Sequence, residues 1–335
     1  MKKIIITDSS LRDGNHSVSH SIELSSIKKY CQAADDAGIP IVEIGHGNGL
    51  GASSLLIGKA SFSDHDMLKT ARENLSNSKL GVHVIPGIAT IEKDIKPAID
   101  LGVDVFRIAS HCSEATVTKS HIEFLRKKNI EVFGVLMMTA LASPEELVQN
   151  ALEMEAYGAL GIIIMDSTGT YLPSDVEKRI KLLVDKLEIP VGFHAHNNLS
   201  YAIHNSVVAI QNGATYIDAC IRGFGAGAGN APLEILIPVL DKYGYTVDVN
   251  FKKIIIEADK VLNYLIPKVP VSSPVNILTG LNKLFSGFEK PIINASKINK
   301  LEYSSLIFEL GNRKLVAGQE DLILEVANNL KKQNK

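Results

Sequence analysis

From the N-terminus to about residue 245, short runs of β-branched and other apolar residues alternate with longer stretches in which apolar positions recur at helical spacing. That alternation is the pattern of repeated βα units on a parallel sheet. The runs predict strands over residues 3–7, 41–45, 79–85, 103–109, 130–137, 161–166, 189–194 and 215–221. Eight such strands with helices between them favour a closed (β/α)8 TIM barrel over an open doubly wound sheet. Two helix starts are marked locally: Ser143-Pro144-Glu145-Glu146 carries a cap, a first-turn proline and a returning Glu, and Ser174-Asp175-Val176-Glu177 predicts a second capping box. Beyond residue 245 the pattern turns wholly helical, interrupted by a Pro-rich break at Pro267 to Pro274. The chain thus divides into a catalytic barrel, 1–245, and a C-terminal helical domain, 246–335, expected to cover the barrel mouth or dock a partner.

Charge and cysteine usage narrow the class. The formal net charge is −2 with acids and bases mixed along the chain, so there is no electrostatic footprint for nucleic acid or an anionic membrane, and small-molecule chemistry is expected. Cys31, Cys112 and Cys220 are far apart without CxxC spacing, as for reduced packing thiols in a cytoplasmic protein. The first apolar run turns polar too early for a signal peptide, and no apolar stretch reaches the ~20 residues of a spanning helix.

In a barrel, chemistry belongs at the C-terminal ends of the strands. The polar clusters sort there: Leu11-Arg12-Asp13-Gly14-Asn15-His16 after the first strand, Glu43-Ile44-Gly45-His46-Gly47 after the second, Ser110-His111-Cys112 after the fourth, Asp166-Ser167-Thr168-Gly169 after the sixth, and the glycine run Gly223 to Gly229 with Asn230 after the eighth. After the seventh come His194 and His196, which point the same way because side chains alternate along a strand. An HxH pair also arises where polar residues cap a buried strand. Asp13 supplies a carboxylate, and two His with one Asp leave positions open on a divalent cation for substrate oxygens. Arg12 suits a carboxylate or a developing enolate oxygen, or else neutralises Asp13. His16 is a candidate general base. His20, His46, His83 and His111 are expected in supporting or core roles. The glycine run satisfies GxGxxA, but it follows the last strand and lacks the acidic residue ~20 positions on, so it is not a dinucleotide fingerprint. It instead lets backbone pass close to a metal or substrate, with Asn230 adding a ligand oxygen or capping the helix that begins near Pro232.

With Leu11 to Gly14, His194 to Asn198 and Gly225 to Glu234 in place, the chain resembles the metal-dependent barrels of the pyruvate-carboxylate lyase superfamily, and within it the 4-hydroxy-2-oxovalerate aldolase family. The likeness extends through His111 to Ala115, Leu136 to Met138 and the tail Val316 to Asp321. The resemblance implies metal ligands Asp13, His194 and His196, the base His16, and 2-oxo acid contacts from Arg12, Ser167 and His194. It implies cleavage of a 4-hydroxy-2-oxo acid to pyruvate and an aldehyde, with manganese the expected metal and cobalt or magnesium as alternatives. It further implies an acylating aldehyde dehydrogenase as partner, and a homo- or hetero-oligomer.

One departure stands out. The family's helical domain offers a tyrosine to the site within a Tyr-Ser-Ser-Phe stretch, whereas this chain reads Phe285-Ser286-Gly287-Phe288. The aldehyde side of the pocket is therefore expected to differ. Competing expectations are a Claisen-type condensation of an acyl-CoA with a 2-oxo acid on the same metal and arginine, a pyruvate aldolase with another aldehyde, and an inactive barrel that scaffolds a dehydrogenase.

Overall fold

The computed structural model describes residues 3–313, 315 and 319–333. Its sheet is a closed barrel in strand order β1 (Ile5–Leu11), β2 (Ile41–Ile44), β3 (Lys79–Val84), β4 (Val105–His111), β5 (Glu131–Met137), β6 (Ile162–Asp166), β7 (Val191–Ala195) and β8 (Tyr216–Ala219), with every neighbouring pair parallel and β8 closing on β1. All eight strands expected from the apolar runs are present. β1 and β4 run further than the apolar pattern, because Asp8, Ser9 and Ser10 in β1, and Ser110 in β4, are buried polar residues that still pair as strand.

Alternation along each strand separates two apolar layers. Val105, Phe133, Val135, Ile163 and Met165 pack inside the barrel, while Ile6, Val42, Val82, Phe106, Val132, Ile162, Val191 and Phe193 join the larger core beneath the outer helices. Val191 and Phe193 thus face outward, and His194 points into the barrel mouth with His196 just past the strand end.

The helices on the chain are α1 (Gly14–Ser17), α2 (Leu24–Ala37), α3 (Asp64–Arg72), α4 (Lys96–Asp100), α5 (Lys119–Lys127), α6 (Pro144–Ala156), α7 (Pro173–Lys186), α8 (Ala202–Gln211) and α9 (Leu233–Lys242), then α10 (Phe251–Lys260), α11 (Pro274–Leu281), α12 (Glu289–Asn299), α13 (Tyr303–Asn312) and α14 (Glu320–Gln333). The capping box at Ser143 forms, with Glu146 returning to the Ser143 backbone. The one expected at Ser174 does not. Pro173 takes the first helical position of α7, so Leu172 is the cap residue and the Asp175 carboxylate accepts its N–H at 3.0 Å. Asn230 likewise does not cap α9, where Pro232 is the cap residue. Its side chain is taken up by Asp13 instead.

Ile254, Ala258 and Val261 of the α10 region pack into the barrel's own core, whereas Val275, Leu284, Phe288, Ile292, Leu306, Leu310 and Val326 form a separate helical core. That second body sits on the barrel mouth. Ser286 donates its N–H and its hydroxyl to the Ser167 carbonyl oxygen, at 3.2 and 2.9 Å, and Asn198 donates to the Asn276 carbonyl oxygen at 2.8 Å. Among the described residues no helix is long and apolar enough to cross a membrane. Val316, Ala317 and Gly318 of the tail motif lie outside the described residues.

Candidate active site

Asp13 follows β1, His194 closes β7 and His196 lies just beyond it. One ligand atom from each falls within 4.8 Å of the others, and all three are buried. The imidazole rings of His194 and His196 lie 5.0 Å apart, centroid to centroid. The loop after β8 completes this corner. The Asp13 Oδ2 atom accepts from the Ala226 N–H at 3.1 Å and from Asn230 Nδ2 at 2.9 Å. Gly225 is needed for the approach, since a Cβ there would stand 2.6 Å from both Asp13 Oδ2 and Asn230 Oδ1. Burial pushes the Asp13 carboxyl up, but the Arg12 guanidinium together with the neighbouring imidazoles of His196, His16 and His194 holds the group well below the usual carboxylate range. Burial also lowers His196 to about 3, so its imidazole is neutral and its lone pair free for a ligand.

Arg12 is fixed on two sides. Its Nε donates to Glu43 at 2.8 Å and its Nη1 to Asp13 at 2.6 Å. The Asp13 pairing that was the alternative expectation is present, and Nη2 is buried without a partner. Glu43 also accepts from Arg107 at 3.2 Å, and Arg107 in turn reaches Asp218, whose Oδ2 lies 2.8 Å from His194 Nδ1. His83 sits beside the same group, 3.9 Å from Glu43.

His16 lies in α1, three residues past Asp13. Its ring lies flat against Gly47, where a Cβ would come within 2.5 Å of Nε2, and it meets His20 edge-on at 5.2 Å. His20 stacks on His46 at 3.5 Å, which places both as supports, as expected. Burial lowers His16 to about 4, assisted by Arg12 and opposed by Asp13. The ring is therefore in its basic, proton-accepting form at neutral pH. Phe285 meets His16 edge-on at 5.7 Å and so does line the mouth. Ser167 is buried, its hydroxyl accepting from the Met138 N–H at 2.9 Å. It opens on a cavity of about 490 Å³ lined by Ile57, Ile85, Ala109, His111, Met137, Met138 and Phe285. Sequence reasoning placed Glu43 at a strand end but missed Arg107 and Asp218. Their signal was available: a lone charge inside an apolar barrel strand has to be paired somewhere.

Asp13, His194 and His196 suit a divalent cation, with His196 Nδ1 and Asn230 Oδ1 sealed from solvent without a partner, while the equally unpartnered Arg12 Nη2 is a donor suited to a substrate oxygen. Residues 3–261 match the HMGL-like family and residues 270–332 the DmpG-like communication domain. The 4-hydroxy-2-oxovalerate aldolase of Pectobacterium atrosepticum is 51% identical over 333 residues, covering 99% of this chain and 97% of that relative. The enzyme of the same name from Spirochaeta aurantia is 52% identical over 328 residues, covering 98% and 96%. The carboxyl transferase domain of Rhizobium etli pyruvate carboxylase, solved with pyruvate, superposes with a TM-score of 0.83 over 99% of this chain and 61% of that one. At 14% identity this is a likeness of fold alone. Matched along nearly its whole length by these relatives, the chain belongs to the 4-hydroxy-2-oxovalerate aldolase family of HMGL-like barrels.

Proposed function

We propose that this chain is a divalent-metal-dependent aldolase that cleaves 4-hydroxy-2-oxovalerate, or a close 4-hydroxy-2-oxo acid, to pyruvate and a small aldehyde. The observation that carries it is the convergence of unpartnered, sealed polar atoms of Arg12, His16, His196 and Asn230 around the Asp13 carboxylate. Buried polar groups are otherwise paired, so the cluster is laid out for a polar substrate and a cation. Asp13, His194 and His196 would hold the cation, with Asn230 Oδ1 beside them. When bound, it supplies Lewis-acid stabilisation of the 2-oxo oxygen, and manganese fits this mixed N/O set, as do cobalt and magnesium.

The chain's own residues do the rest. Arg12 Nη2 is the free donor toward the oxygen that becomes an enolate, and His194 and Ser167 flank the 2-oxo acid. His16, neutral at physiological pH, takes the proton from the C4 hydroxyl. The C3–C4 bond then breaks, the aldehyde leaves, and the electron pair remains on the pyruvate enolate until C3 is protonated. The helical domain after the barrel closes the mouth through Ser286 and Asn276. Its match to a communication domain supports docking of an acylating aldehyde dehydrogenase that receives the aldehyde.

The test is pyruvate release from 4-hydroxy-2-oxovalerate by metal-loaded and exhaustively chelated protein, with metal content measured in parallel. Release only by the loaded protein, and loss of bound metal in His194→Ala, are expected. Full activity after chelation, or an unchanged metal content in His194→Ala, would sink the proposal.

A further inference from the structure

Beneath the candidate metal ligands the barrel interior holds a continuous chain of alternating charge. Asp13 is paired with Arg12, Arg12 with Glu43, Glu43 with Arg107 and Arg107 with Asp218, which meets His194. These five charged residues come from β1 or its following turn, β2, β4 and β8, and none is more than 4% exposed. Strand register brings the last link about, because His194 of β7 and Asp218 of β8 are direct partners across the parallel pair. Such burial is costly for any member left unpaired, so each charge fixes the next.

We propose that Asp218, held by Arg107 and Glu43, is a positioning residue that keeps His194 in the tautomer with its proton on Nδ1, leaving the Nε2 lone pair to face the cation. The argument is one of donors and acceptors. Asp218 Oδ2 lies 2.8 Å from Nδ1 and already accepts from Arg107. An ionised carboxylate only accepts, so Nδ1 must carry the hydrogen and Nε2 must not. Arg107 Nη2 donates to the same Oδ2, so this oxygen accepts from a guanidinium on one side and meets Nδ1 on the other. The other end of the chain orients Arg12 and, through it, Asp13. Asp13 after β1, His194 on β7 and the Arg12 guanidinium are thereby held as one unit, so a change at Asp218 is felt as ligand geometry and not only as stability.

This inference rests on the proposed metal-dependent function, and its test separates the two. In metal-free protein with 15N-labelled histidine, the His194 ring, assigned by its absence in His194→Gln, is expected to show a protonated Nδ1 and an unprotonated Nε2. Asp218→Asn, whose amide can donate to Nδ1, should shift that ring toward the other tautomer and weaken Mn2+ binding, read by titration, by about ten- to a hundredfold. The charge-balanced pair Arg107→Gln with Asp218→Asn should do the same if the single variant folds poorly. An unprotonated Nδ1 in the wild type, or the wild-type tautomer and Mn2+ affinity in a folded Asp218 variant, would overturn the positioning role. A wild type with the expected tautomer that binds no Mn2+ would support the role of Asp218 while removing the metal-dependent reading.

Discussion

The ammonium of Lys290 donates to the carbonyl oxygen of Ser17 at 2.8 Å, tying the helical domain to the turn that carries His16. The same nitrogen reaches the His16 carbonyl oxygen at 3.3 Å and the Ser19 hydroxyl at 3.0 Å. It therefore caps the end of the four-residue α1 and steadies the following turn, where Ser19 and His20 have left-handed backbones at φ 56° and 61°. Lys290→Met is expected to lower kcat for cleavage roughly tenfold, the scale of losing charge-assisted hydrogen bonds. Bound metal should be unchanged, and amide exchange over residues 14–20 should quicken. Lys290→Arg should keep most of the activity. Wild-type kcat in Lys290→Met would mean that the turn holds His16 without help from the second domain.

Arg12 and His16 should separate by step. Arg12 uses its fork fully, with Nε on Glu43, Nη1 on Asp13 and Nη2 free toward substrate. A lysine cannot satisfy three directions at once. Arg12→Lys should therefore lose exchange of the pyruvate methyl protons with solvent by about 10²-fold or more, as for removal of an oxyanion donor. His16→Ala should keep that exchange but lose aldol cleavage by about 10²-fold. Near-wild-type cleavage by His16→Ala would take it out of the mechanism.

How much of this could be seen in the chain differs by physical cause. The eight strands were legible because buried parallel strands are apolar runs, and the Asp13, His194 and His196 cluster because each lies at or just past a strand end. The cap at Ser174 was misplaced by two residues because Pro173 is itself a favoured first helical residue and shifts the helix start. Arg107 and Asp218 were passed over because each is a single charge in an apolar strand, and their pairing with each other and with Glu43 is set by barrel closure, which no local window contains. The contacts of Ser286 and Lys290 to the barrel join positions more than a hundred residues apart and leave no periodic trace.

A buried carboxyl away from the site offers a pH test of stability. Asp8 is fully buried on β1 and accepts from Ser10 and from the Tyr30 hydroxyl, both at 2.5 Å. Burial pushes its carboxyl up to about 6 despite these hydrogen bonds. A carboxyl raised on folding favours the protonated form, so its contribution is fully present below about pH 4 and is lost as pH rises through about 6. Asp8→Asn resembles the protonated acid at every pH. Its stability relative to wild type should rise between pH 4.5 and 7.5 by on the order of 2 kcal/mol, followed by denaturant titration. A difference that does not vary with pH would show that Asp8 is ionised throughout.

Phe285 and Gly287 depart from the family's Tyr-Ser-Ser-Phe stretch together, and the structure gives the two changes one cause. A Cβ at Gly287 would lie 2.4 Å from the Phe285 ring, so the ring rests where a serine side chain would begin. In that position it meets His16 edge-on at 5.7 Å and Phe288 at 5.6 Å, and it lines the cavity that opens on Ser167. A phenyl ring there gives the aldehyde end an apolar wall and no hydroxyl donor, a difference of about 0.5–1.5 kcal/mol for one net hydrogen bond. The wild type is accordingly expected to enolise pyruvate well but to turn over 4-hydroxy-2-oxovalerate only modestly. Phe285→Tyr should improve that turnover, and more so in combination with Gly287→Ser, because the added Cβ displaces the ring from its present seat. The comparison is kcat/KM for the wild type, Phe285→Tyr and the double variant, with methyl-proton exchange of pyruvate as the internal control. Equal or lower kcat/KM in the double variant, with exchange unchanged, would show that the hydroxyl has no part in handling the aldehyde here.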